Sequence, residues 1–218
     1  MWPVIGHDWA VMLLGRAVKG AEVRHAYLFT GPSQVGKTTL ARAFAQAICC
    51  QAEGEDPPCG VCDACQRVAR QVHPDVRLIT PQGRNGQELL IDQVRDLIHE
   101  ATLSPSLGRY KVFILREVDR ANPSAMNALL KTLEEPPPAV VLLLTSSNPE
   151  RLLSTLVSRC QVLALRRVPT ELIEQRLLAV GTEAERARLL ARLSGGRLGW
   201  ALRALDDAAG WEKRAEAL

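Results

Sequence analysis

Apolar residues along this chain alternate between two patterns. Short continuous runs occur at HAYLFTG (25–31), DVRLIT (75–80), KVFIL (111–115), AVVLLLTS (139–146) and QVLALR (161–166). Runs of that length, bounded by turn residues, predict buried strands. Between them the apolar positions recur at helical spacing: TTLARAFAQAICC, then IDQVRDLIHEATL with Ile91, Val94, Leu97 and Ile98 on one face. SAMNALLKTLEE follows, stopped by Pro136, Pro137 and Pro138, and a short helix is expected around 151–156. Continuous strands alternating with helices predict an α/β fold: a parallel sheet covered on both faces.

After Pro169 the pattern is helical only. TELIEQRLLAV is one helix. TEAERARLLARLSGG is a second, with Thr182 and Glu185 at capping-box spacing and Gly195–Gly196 as its stop. LGWALRALDDAAG is a third, and the final WEKRAEAL reads as another helix cut short, as in a fragment. Two units are therefore expected, 1–167 and 168–218. The length of 218 residues fits one sizeable core with a smaller annex.

Composition removes several classes. With 47% apolar and 23% charged residues the chain is not disordered. No apolar run approaches the ~18 residues that span a bilayer, and the first residues, MWPVIGHDWA, lack the features of a secretion signal. A soluble, cytoplasmic protein without a membrane partner is expected. Aromatic residues are only 4%, which argues against stacking platforms for bases. Residues 1–150 carry 15 Lys and Arg against 16 Asp and Glu, while 151–218 carry 12 against 8. No basic stripe announces nucleic acid.

The six cysteines, without a secretion signal, point to metal ligands or core residues rather than disulfides. Cys50, Cys59, Cys62 and Cys65 have the spacing C-x8-C-x2-C-x2-C. Each C-x2-C step lets two thiolates converge on one ion, and the longer loop returns Cys50 as a fourth ligand. Four protein ligands leave no position for water, so a closed structural Zn²⁺ module at about 49–66 is expected. Cys49, Cys160, His25 and His73 read as structural residues.

Gly31-Pro32-Ser33-Gln34-Val35-Gly36-Lys37-Thr38 fits G-x-x-x-x-G-K-[ST] and lies between an apolar run and a helix. Glycines let the backbone curl so that successive N–H groups face phosphate oxygens. The helix N-terminus adds its dipole, Lys37 reaches the terminal phosphates, and the Thr38 hydroxyl, beside Thr39, can ligate Mg²⁺. ATP with Mg²⁺ is the expected ligand. Hydrolysis needs more: a carboxylate that orders the metal at the end of a neighbouring strand. After KVFIL stands Arg116-Glu117-Val118-Asp119. A cation at Arg116 repels a metal, and Glu117 can polarise water. Alternatively, Glu117 and Asp119 only begin the next helix with negative charge.

Several segments together resemble one family. HAYLFTGPSQVGKTTLARAFA, CQAEGEDPPCGVCDAC, ALLKTLEEPP and STLVSRC are similar to the bacterial DNA polymerase III clamp-loader subunits of the AAA+ class, over essentially all of the chain. That resemblance implies a RecA-like AAA+ sheet with an inserted zinc module and a small helical lid, the family's C-terminal collar domain being absent here. It also implies that Arg159, of Ser158-Arg159-Cys160, reaches into a neighbouring subunit's ATP site, and that Ser146 stands at the sensor-1 position near a γ-phosphate.

Two kinds of subunit are similar, the ATP-hydrolysing tau/gamma motor and the delta-prime subunit. Arg116 stands where the motor has Asp. Gly199, in Gly196-Arg197-Leu198-Gly199-Trp200-Ala201-Leu202, stands where the motor carries its sensor-2 arginine. His73-Pro74-Asp75 also resembles the delta-prime type, whereas the intact phosphate loop resembles the motor. The resemblance thus implies a delta-prime-like subunit that binds nucleotide but hydrolyses it poorly or not at all, with Glu117 a vestige of the catalytic acid. Its partners would be tau/gamma and delta subunits and, through the complex, the sliding clamp and primed DNA. A hydrolysing motor is the alternative. A small-molecule P-loop kinase with a zinc-stabilised lid is a third reading, in which ALLKTLEEPP has no role.

Overall fold

The computed structural model describes residues 2–52, 56–82 and 87–206. Five parallel strands, β1 (Ala26–Thr30), β2 (Val76–Ile79), β3 (Lys111–Leu115), β4 (Val140–Ser146) and β5 (Gln161–Ala164), lie in the order β2-β3-β4-β1-β5. The sheet is in register with Leu28 beside Leu144, and Thr30 beside both Ser146 and Ala164. All five expected strands are present. β1 and β4 are buried along their whole length, as centrally placed parallel strands must be. Edge strands β2 and β5 are half open, which continuous apolar runs did not foretell.

Strand alternation divides the core into two layers. Ala26, Leu28, Phe113, Leu115, Leu142 and Leu144 face one way, onto α4 (Ile91–Ala101), α5 (Pro123–Glu134) and the short α6 (Ser154–Val157). Tyr27, Phe29, Val112, Ile114, Val141 and Leu143 face α1 (Asp8–Lys19), α2 (Lys37–Cys49) and α3 (Asp63–Ala69) on the other side. Neither α1 nor α3 was foreseen. Phe44 of α2 meets Tyr27 edge-on at 4.8 Å and stacks on Trp2 at 6.3 Å, anchoring the N-terminal segment over this layer.

Beyond β5 three helices, α7 (Thr170–Ala179), α8 (Ala184–Ser194) and α9 (Leu198–Asp206), enclose a separate small core of Val168, Ile173, Leu177, Leu190, Ala201 and Ala204. Gly195 ends α8 in the left-handed conformation, as its position suggested. The capping box does not form. Glu183, not Thr182, is the N-cap of α8, and it makes no side-chain cap bond. Starting the helix one residue later takes the Thr182 hydroxyl out of capping register. The last part of LGWALRALDDAAG and all of WEKRAEAL lie outside the described residues. No described helix is long and apolar enough to cross a membrane.

Candidate nucleotide cleft and metal centre

The phosphate loop joins β1 to α2 at the carboxyl end of the sheet, where ligands of such folds collect. Its shape needs glycine at two places. Gly31 has φ 136°, and a Cβ there would come within 2.3 Å of the Leu165 carbonyl oxygen; Gly36, the N-cap of α2, has φ 109°. Val35 between them is buried in the core, and His7 Nε2 donates to its carbonyl at 2.9 Å. His7, itself buried, ties the loop to the start of α1.

Lys37 is almost enclosed. Its ammonium donates to the carbonyls of Gly31 (2.8 Å) and Pro32 (2.7 Å) and to Ser147 Oγ (3.0 Å). Burial lowers its pKa from 10.5 to about 8, against the opposing pull of Asp119 and Glu117. A cleft of about 760 Å³ opens in front of it. It is lined by Ser33, Gln34, Gly36, Lys37, Thr38, Thr39 and Arg42 of the loop and α2, by Arg116, Glu117, Arg120, Thr145 and Ser147 at the floor of strand ends, and by Gly199 and Arg203 of α9.

The floor is held by strand-end chemistry. Glu117 follows β3 in the left-handed region (φ 52°, ψ 52°), a strained conformation for a residue with a side chain. Its backbone N–H donates to Thr145 Oγ1 at 3.1 Å, which fixes that turn. The Glu117 carboxylate accepts from Arg120 Nε at 3.1 Å and lies 4.0 Å from Arg116. Asp119 is buried below, accepting from the Ser147 N–H (3.2 Å) and from Asn148 Nδ2 (3.0 Å). It positions the loop after β4 rather than facing the cleft.

Ser146 is not in the cleft. It is wholly buried, and its Oγ accepts from the Asn148 N–H at 3.2 Å. Successive strand residues face opposite ways, so Thr145 and Ser147 turn to the cleft and Ser146 turns to the core. Alternation was a signal that could have selected Ser147. Gly199 does occupy a cleft position, but for a packing reason. Its N–H donates to Gln34 O at 2.9 Å, and a Cβ would come within 3.1 Å of that oxygen. One helical turn later, on the same face, Arg203 lines the cleft. Arg42, Arg120, Arg203, Ser147 and His7 were not singled out from sequence. Helical and strand periodicity carried a signal for Arg203 and Ser147, and none marked His7.

Arg159 lies elsewhere. It precedes β5 and is therefore at the amino end of the sheet, away from the cleft. Its guanidinium donates to the Thr155 carbonyl at 2.8 Å and pairs with Glu134 at 2.8 Å. Glu134 belongs to ALLKTLEEPP, so two of the segments that carried the resemblance clasp each other.

The four cysteines converge. The Sγ atoms of Cys50, Cys59, Cys62 and Cys65 lie within 4.8 Å of one another, and Cys59 and Cys65 are 3.9 Å apart. A tetrahedral zinc with Zn–S bonds of about 2.3 Å needs thiolates about 3.8 Å apart, so these residues fit it and would hold it. Backbone N–H groups of Cys62 and Cys65 donate to the sulfurs three residues back, Cys59 and Cys62, both at 3.4 Å. Such donation, with that of Val61, brings the Cys59 thiol down to about 6. Cys49 ends α2 as a buried thiol pushed up by burial to about 12, and Cys160 packs against the core. His73 is buried, its Nδ1 accepting from the Asp75 N–H at 3.1 Å.

Sheet order, glycine loop and helical annex define a RecA-like AAA+ fold. The Holliday-junction branch-migration motor RuvB of Thermotoga maritima superposes with a TM-score of 0.60 at 20% identity, over 91% of this chain and 60% of that one. The family described as DNA polymerase III, delta subunit, matches residues 6–169, and the chain belongs to the clamp-loader family of delta-prime and tau subunits. DNA polymerase III subunit tau of Bacillus subtilis is 34% identical over 212 residues, 94% of this chain and 37% of that protein. Subunit delta-prime of Pseudomonas aeruginosa is 38% identical over 154 residues, 71% of this chain and 47% of that protein. The chain thus spans about a third to a half of these relatives' length. A small-molecule kinase is set aside by this membership.

Proposed function

We propose that this chain works as a delta-prime-like clamp-loader subunit, one that binds ATP at Gly31–Thr39 and turns it over slowly or not at all. In a ring with tau/gamma and delta subunits it presents Arg159 to a neighbour's ATP while the assembly places a sliding clamp on primed DNA. The observation that carries this reading is Arg116: an arginine stands beside Glu117 at the strand end where hydrolysis needs a second acid. The position of Arg159, at the opposite end of the sheet from the chain's own cleft, supports action on a neighbour. There a guanidinium would stabilise charge developing on the γ-phosphate.

ATP hydrolysis by the purified chain, alone and mixed with its motor partner, tests this. The chain alone should show slow turnover or none. In the mixture Arg159→Ala should lower the clamp- and DNA-stimulated rate by about 10³-fold at the site it serves. Equal rates with and without Arg159 reject the trans role. One observation favours the motor reading instead: the match to tau extends over 94% of this chain. Strong turnover by the isolated chain that Lys37→Ala abolishes would establish it.

A further inference from the structure

The residues lining the cleft carry five cations, Lys37, Arg42, Arg116, Arg120 and Arg203, against a single carboxylate, Glu117. That carboxylate is engaged by Arg120 and lies beside Arg116. Asp119, the nearest other acid, is buried beneath the floor with both oxygens accepting hydrogen bonds. Magnesium seeks oxygen ligands, commonly one or two carboxylates with phosphates and water. Here it would approach past guanidinium groups, and the acid it would use is already paired with Arg120.

Two of the arginines, by contrast, keep an unsatisfied donor, although Arg42 Nη2 donates to Gln71 at 3.2 Å. The Nε atoms of Arg116 and Arg42 are both buried with no hydrogen-bond partner among the described residues. An unpaired buried donor is destabilising, and more so when it is charged, so an incoming anion would offset a cost already built into this wall. The two groups also repel: burial, and then the charge of Arg116, lower the Arg42 pKa. Guanidinium is a planar fork that matches phosphate oxygens two at a time.

We infer that this cleft binds its nucleotide as the metal-free polyphosphate, with Arg116 supplying the positive charge that a divalent ion supplies elsewhere. The inference rests on the nucleotide-binding reading above and refines it. Magnesium cancels roughly half the charge of a triphosphate and occupies the oxygens the arginines would take. It therefore competes with this cleft instead of bridging to it. Slow turnover follows, because the ion that draws charge from the leaving group is missing.

Calorimetric titration of the whole chain with ATP, at matched ionic strength, in EDTA and in excess MgCl₂, is the test. Binding in EDTA should be tighter than in MgCl₂ by about tenfold, about 1.4 kcal/mol. Arg116→Asp, checked for folding by thermal unfolding, should reverse the order and bind better with the metal. Wild-type binding that requires Mg²⁺, or is equal in or strengthened by it, overturns this inference while leaving nucleotide binding intact. No binding in either buffer overturns the nucleotide reading itself. If Arg116→Asp does not fold, the wild-type comparison still decides.

Discussion

Among single residues, Lys37 sets the most direct expectation. In the free protein its ammonium is buried and gives up its proton near pH 8. A bound phosphate favours the charged form, so the Lys37 pKa rises on binding and the complex takes up a proton above pH 8. Affinity for ATP should then be flat below pH 7 and fall as pH rises through 8, approaching about tenfold per unit. The arginines do not titrate in this range. Lys37→Met should bind more weakly at every pH and lose the slope; a wild-type affinity unchanged from pH 7 to 9 would refute the assignment. The same burial means that the free protein should gain stability between pH 8 and 10, where its unfolded chain binds more protons than its folded one.

Elements show where sequence reasoning reached and where it stopped. Strands β1 and β4 were legible because both faces are buried, which makes their apolar runs unbroken. Helix α1 was not, because Trp9 and Met12, which the structure leaves exposed, widen its apolar run beyond the face that Ala10 and Leu14 bury. Helix α3 is only seven residues long and is dictated by cysteine convergence more than by amphipathicity. Side-chain placement turned on single residues: Ser146 is buried while Ser147 lines the cleft, and Glu183 rather than Thr182 is the N-cap of α8. The cysteine module bears its own prediction. Cys62 begins α3, its Sγ accepting from the Cys65 N–H, and would also be a metal ligand. Cys62→Ser should lose bound zinc by mass spectrometry and lower thermal stability by several kcal/mol. Full zinc content in that variant would exclude the four-cysteine site.

For the molecule as a whole, the contact between Gly199 and Gln34 matters most, because it joins the three-helix unit to the phosphate loop. Gly199→Leu should push α9 away and withdraw Arg203 from the cleft. ATP affinity should fall by about tenfold or more, while zinc content stays unchanged. Affinity equal to wild type would mean that α9 contributes nothing to the ligand. A different consequence follows from the two ends of the sheet. The cleft opens at the carboxyl end and Arg159 stands at the amino end, so if Arg159 serves a neighbour as proposed, each copy is an arrow with a socket at its tip and a plug at its tail. Arrows of that kind join only head to tail, and in an open row one socket and one plug are left over. On the proposed reading, a chain with a weak motor would lose least at the end of such a row, where its plug would be used and its socket spare.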